Sequence, residues 1–282
     1  MKLGIHAYAW CSQWSNETLH LIDRAKGLGM DFIESPLMCL DTFDAGAVRK
    51  RLQDAGLDSC TSTVLLEGMD LTSEDPEERK RAVDYLKTCV AMTSRVGARQ
   101  LSGVIYSQHV KAAKRRPVEA EWRMVAEGLR EVAEYAASEG VRIGLEPVNR
   151  YETYLINTSQ QAMSMIDRIG MDNVGVHLDT YHMNIEEKRF SEAVRQAGPK
   201  LMHLHLCEND RGIPGTGLVH WDDLFRALGE IHYDGYAALE SFVDVTDNMN
   251  TWVWRQLAPD GDTLIREGVS FIRSMQAKYG LV

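Results

Sequence analysis

One pattern constrains this chain more than any other. A short β-branched or apolar run is followed by an amphipathic stretch, usually a glycine, and then the next apolar run, from one end to the other. The strand-like runs are residues 3–8, 32–35, 59–65, 100–105, 141–146, 174–179, 201–206 and 236–240. The helical stretches are 17–28, 44–55, 76–96, 117–138, 158–169, 190–197, 221–228 and 263–278. Gly29, Gly56, Gly97, Gly140, Gly170, Gly198 and Gly229 follow the first seven, where a left-handed residue closes a helix before the next strand. Strands that alternate with helices pair in parallel, and eight such units predict a closed (β/α)8 barrel, a fold of about 250 residues. A doubly wound open sheet would carry a glycine-rich loop after its first strand, but AYAWCSQWSNE (7–17) has no glycine. No linker or low-complexity tract interrupts the 282 residues, so one barrel domain over 1–282 is expected.

Charge narrows the partners. Lys and Arg number 31 against 41 Asp and Glu, a net −10. Such a surface repels phosphate backbones and anionic lipid, which excludes nucleic acid and membrane as expected partners. No apolar run approaches the roughly 20 residues of a membrane span. MKLGIHAYAW reads as a first strand rather than a signal peptide. The five cysteines are scattered without a C-x-x-C, as in reduced core thiols. A cytoplasmic protein is expected.

Barrel active sites lie at the C-terminal ends of the strands. The last inward positions of strands five to eight are Glu146, Asp179, His205 and Glu240, with Gly144, His177, His203 and Ala238 one layer deeper. Alone, a strand-end carboxylate is usually a helix cap or a loop acceptor, and a lone histidine a satisfied core residue. Three carboxylates converging without a cation would repel one another. A divalent ion removes that penalty. Three oxygen ligands and one nitrogen, with no thiolate, suit Mn²⁺, Mg²⁺ or Co²⁺.

Four motifs then point to a family. They are Glu146-Pro147-Val148-Asn149-Arg150-Tyr151-Glu152, HLDTYHMNIEE (177–187), HLHLCENDRGIPGTG (203–217) and LESF (239–242). Together they resemble the ketose 3-epimerases of the D-tagatose/D-allulose type, within the xylose-isomerase-like sugar isomerase and epimerase barrels. The resemblance implies that Glu146, Asp179, His205 and Glu240 bind one divalent metal, Mn²⁺ first and Mg²⁺ or Co²⁺ as alternatives. It implies that Glu146 and Glu240 are also the two catalytic carboxylates, acting on opposite faces of the sugar through a metal-stabilised cis-enediolate. Glu152, His182 and Arg211 match residues that hold the ketose around C1, O2 and O3. Tyr8 and Trp14 match aromatics that wall the sugar, with core packing the other reading for Trp14. A homodimer or homotetramer is implied, with Trp252 and Trp254 as contact or lid residues.

The substrate is expected to be unphosphorylated. Glu208, Asp210, Asp244 and Asp247 crowd the loops after strands seven and eight, where barrels hold phosphate, and Arg211 stands alone among them before Arg255. Lys111, Lys114, Arg115 and Arg116 read as a solvated helix start, with an anion site as the alternative. The same barrel also supports other chemistry. A lyase, dehydratase or isomerase acting on an oxidised sugar, inositol or keto-glycoside is the alternative, and a non-catalytic metal-binding subunit is a third. A multi-zinc DNA endonuclease is disfavoured by the charge and the scarcity of histidine ligands.

Overall fold

The computed structural model describes residues 1–111, 113, 115–242 and 253–282. Eight strands close in sequence order, each parallel to its neighbours, with β8 pairing back to β1. They are β1 (Lys2–His6), β2 (Phe32–Pro36), β3 (Asp58–Ser62), β4 (Gln100–Gly103), β5 (Arg142–Leu145), β6 (Val174–Asp179), β7 (Leu201–Leu206) and β8 (Tyr236–Leu239). The helices are α1 (His20–Gly27), α2 (Ala45–Ala55), α3 (Pro76–Val96), α4 (Glu119–Ser138), α5 (Ser159–Ile169), α6 (Thr180–Glu186), α7 (Phe190–Ala197), α8 (Trp221–Glu230) and α9 (Gly261–Tyr279). The expected (β/α)8 barrel is therefore present.

Local chemistry sets the element ends. The Asp44, Asp75, Thr158 and Asp260 side chains accept backbone N–H groups at the starts of α2, α3, α5 and α9. Gly56, Gly97, Gly170 and Gly280 close the same helices in left-handed conformation. β1 is shorter than its apolar run because His6 Nδ1 accepts the Tyr8 N–H and starts a 3₁₀ turn, Ala7–Ala9. β4 ends at Gly103, whose φ of 133° is open to glycine and whose Cβ would lie 2.1 Å from the Thr63 carbonyl oxygen. One helix escaped the sequence pattern. α6 follows β6 with no intervening turn, capped by Asp179, whose Oδ1 accepts the Tyr181 N–H at 2.6 Å.

The barrel interior is layered. Phe32, Cys60 and Ala238 pack together at the base. Above Phe32 on β2 comes Glu34, wholly buried together with His177 and His203. The mouth lies above them. Among the described residues, no helix is long and apolar enough to cross a membrane.

Candidate active site

The four expected ligand positions converge, on a stagger rather than at one height. Asp179 pairs with His205 across β6 and β7. His205 pairs with Ala238, so Glu240 lies two residues further along its strand. Glu146 follows the end of β5 directly. Tilted strands in a closed barrel bring such staggered positions to one place.

At the centre stands His205 Nδ1. It lies 3.4 Å from Glu240 Oε1, 3.9 Å from Glu146 Oε1 and 3.9 Å from Asp179 Oδ2. This nitrogen is buried and has no hydrogen-bond partner. Ligand atoms each about 2.1 Å from a common ion sit roughly 3–3.5 Å from one another. An unpartnered nitrogen ringed by three carboxylates at nearly that spacing fits a divalent cation.

Electrostatics agree. The Glu146 carboxyl is pushed well above the usual range by burial and by the nearby Asp179 and Glu240 charges. Burial acts the same way on Glu240, but positive His205 and Arg211 overcome it and hold this carboxyl well below the range. Burial, aided by carboxylate repulsion, thus prevails at Glu146 and not at Glu240. Arg211 adds to the effect of His205. Its Nη1 donates to Asp179 Oδ2 at 2.6 Å and also to Glu240 Oε2.

A strained loop carries Arg211 to that position. Arg211 has a φ of 68°, a left-handed conformation that costs a non-glycine residue of order 1–3 kcal/mol. Glu208 fixes the turn around it. Its Oε1 accepts the Gly215 N–H and the Trp221 Nε1–H at 2.7 Å each, and its Oε2 accepts the Val219 N–H at 3.2 Å. The guanidinium also lies 4.1 Å from the Tyr181 ring centroid, a cation–π distance.

The other expected sugar contacts form one hydrogen-bonded group. The Asn149 backbone N–H donates to His182 Nδ1 at 3.1 Å, His182 Nε2 lies 3.3 Å from Arg211 Nη2 and near the carboxylates, and burial lowers the pKa of this ring. Asn149 Nδ2 donates to Glu152 Oε1 at 2.8 Å. Glu152 Oε2 lies 2.9 Å from His109 Nε2, and despite burial the His182, His109 and Arg211 charges bring its carboxyl down to about 2.

A cavity of about 340 Å³ opens onto these groups, with Asp179, His205 and Asn149 behind its lining. Glu146, Glu152, His182, Arg211 and Glu240 line one side, while Tyr8, Met38, Cys39, Val64, Leu66 and Val104 line the other. Tyr8 therefore stands at the wall, packed 5.6 Å from Phe242 between ring centroids. Trp14 does not. It is 2% exposed, is absent from the cavity lining, and packs on Phe43 at 6.5 Å between ring centroids. The expectation that it walls the sugar is corrected to core packing, because the indole is buried within the hydrophobic core.

Three groups were missed in the sequence. Glu34 Oε2 accepts from His203 Nε2 at 2.8 Å and from His205 Nε2 at 3.1 Å, and despite burial those two histidines hold it well below the carboxylate range. His6 Nε2 lies 2.8 Å from Ser62 Oγ in the same interior. His109 joins the site from the loop after β4. Inward alternation on β1 and β2 was the available signal for the first two, while a loop histidine gives none.

Two members of the basic run after β4 make structural pairs. Lys111 pairs with buried Asp70, and Arg115 makes paired bonds to Glu121 at 2.9 and 3.0 Å. Lys114, Asp244, Asp247 and Trp252 lie outside the described residues. Trp254 is exposed, and Arg255 pairs with Asp210.

Residues 22–275 match the family model of xylose isomerase-like TIM barrels. The ketose 3-epimerase of Arthrobacter globiformis is 34% identical over 278 residues, covering 97% of this chain and 96% of its own. The chain belongs to the ketose 3-epimerases. Another relative, the L-ribulose 3-epimerase of Mesorhizobium japonicum, is 34% identical over 276 residues, 96% of this chain and 93% of its own. The solved D-allulose 3-epimerase of Methylomonas sp., in complex with D-allulose, is 33% identical with a TM-score of 0.92, covering 98% of this chain and 97% of that one. As a ketose 3-epimerase family member this protein is an enzyme of the isomerase class.

Proposed function

We propose that this chain, working as one barrel domain, interconverts free, unphosphorylated ketoses with their C3 epimers. Glu146, Asp179, His205 and Glu240 would hold one divalent cation, with Mn²⁺ the first choice and Mg²⁺ or Co²⁺ next. The observation that carries this reading is the buried, unpartnered His205 Nδ1 within 3.9 Å of three carboxylates at the cavity floor. Family membership supplies the reaction class.

When bound, a divalent ion supplies Lewis-acid stabilisation of negative charge developing on the sugar oxygens, worth several kcal/mol. The side chains do the rest. A proton on the carbon beside a carbonyl leaves only if a base stands over it. Glu146 follows β5 and Glu240 follows β8, strands that are not neighbours, so their carboxylates reach a sugar from different sides. One takes the C3 proton, and the C–H electron pair moves toward the C2 carbonyl to leave an enediolate. The other returns a proton to C3 from the opposite face, and the two roles exchange for the reverse reaction. His182, Glu152 and Arg211 orient the hydroxyls. The apolar wall from Tyr8 to Val104 contacts sugar carbons and shields the reacting centre from water.

The test is a product analysis. Purified protein loaded with Mn²⁺ is incubated with tagatose, sorbose, fructose, allulose, ribulose, xylulose and erythrulose, with and without a chelator. C3 epimers that form only without chelator are expected. Aldose products would make it a 1,2-isomerase, and no product from any ketose would turn the search to oxidised sugars.

A further inference from the structure

Glu34 belongs to none of the motifs that carry the family resemblance, and it comes from β2, on the far side of β1 from β8. It is wholly buried. One oxygen, Oε2, meets both His203 Nε2 at 2.8 Å and His205 Nε2 at 3.1 Å. An ionised carboxylate only accepts, so each of those nitrogens must carry the proton. A histidine ligates a metal only as the neutral ring, which holds one proton, so the lone pair of a ligating His205 is left on Nδ1. That is the atom facing Glu146, Asp179 and Glu240. The ring is also prevented from turning over, since His177 and His6 abut it edge-on at 4.1 and 5.5 Å between centroids.

We propose that Glu34 is a positioning residue for the metal centre: it fixes His205 in the one tautomer whose Nδ1 lone pair points at the cation site. This rests on the reading of His205 as a ligand. A carboxylate on the far nitrogen of a ligating histidine typically changes metal affinity by about 10–100-fold, by orienting the ring and raising its basicity. His203 shares Glu34 but is not itself a proposed ligand, so it separates this role from mere filling of the interior.

The experiment measures Mn²⁺ affinity by calorimetry and electron paramagnetic resonance, and the His205 tautomer by ¹⁵N NMR of the metal-stripped protein at a pH high enough for the ring to be neutral. Glu34→Leu is expected to bind Mn²⁺ roughly 10–100-fold more weakly and to show mixed tautomers at His205. Glu34→Gln keeps the volume but loses the charge, and about a tenfold loss is expected. His203→Gln, which leaves the Glu34–His205 bond in place, is expected to stay within about threefold of wild type. Should Glu34→Leu fail to fold, Glu34→Gln decides. Wild-type affinity and a single His205 tautomer in the folded Glu34 variants would overturn the inference, as would an equal loss in His203→Gln. A wild-type protein that binds no divalent ion would instead overturn the metal reading beneath it.

Discussion

Strands β5 to β8 end in side chains held by direction-specific bonds, whereas the segments after β1 to β4 contact the same cavity mainly by shape. On the first side Asp179 is a helix cap and an Arg211 acceptor at once, and His182 Nδ1 accepts a backbone N–H. On the second, Met38, Val64, Leu66 and Val104 present apolar surface. Directional bonds tolerate little displacement, while van der Waals contact tolerates substitution of similar volume. One side of the mouth should therefore fix the reaction and the other should tune which sugar enters.

That contrast can be broken most severely at the carboxylates. Glu146→Gln and Glu240→Gln are each expected to lower kcat by about 10³-fold or more, with KM changing far less, because each removes a proton-transfer group and leaves the wall intact. Steady-state kinetics checks this. A variant of either residue that retained kcat within tenfold would place the acid–base pair elsewhere.

Trp14 tests the other half. Trp14→Ala should cost about 3–5 kcal/mol of stability, measured by denaturant unfolding, and leave the ranking of ketoses unchanged. A changed ranking with little loss of stability would return the indole to the sugar wall.

Glu152 gives a pH signature. Its carboxyl lies at about 2 in the folded protein against an ordinary value of about 4.5. Between those values the unfolded chain binds more protons, so this group's stabilisation is complete above about 4.5 and lost as pH falls toward 2. Glu152→Gln should therefore be less stable than wild type at neutral pH, by up to about 3 kcal/mol, with the gap closing in acid. Thermal unfolding across this range checks it, and a gap independent of pH would contradict the assigned ion pairing.

Smallest of all should be the wall. Val64→Ala and Leu66→Ala are expected to shift the kcat/KM ratio of ketohexose to ketopentose by roughly tenfold or less, the scale of a few methylenes in an apolar pocket. A shift of three orders of magnitude would erase the distinction between the two sides.

The same division explains what could be read without coordinates. Glu146, Asp179, His205 and Glu240 were legible because strand alternation and the barrel rule that sites lie at C-terminal strand ends both point to them. The eight-unit fold was legible because positive-φ glycines follow most of its helices, whereas α8 runs on through Gly229 and His232 takes the positive φ instead. Helix α6 was not, since no turn residue separates Asp179 from Thr180. Trp14 could not be assigned from type alone, because an indole near a strand end packs equally well inward or sideways. Glu34 was hidden for another reason. A single carboxylate in FIESP carries no pattern, and its partners lie 169 and 171 residues away. His109 sits beside Val110 at a φ of 59°, a conformation that no sequence signal marks.

The most direct test follows the C3 proton itself. Mn²⁺-loaded protein is incubated with a turned-over ketose in D₂O, the metal is removed, and proton NMR reads C1 and C3 in both substrate and product. Deuterium at C3 in the epimer, none at C1, and loss of that exchange in Glu146→Gln and Glu240→Gln are the predicted result. Exchange at C1, or C3 exchange that survives in both variants, would contradict a two-carboxylate 3-epimerase.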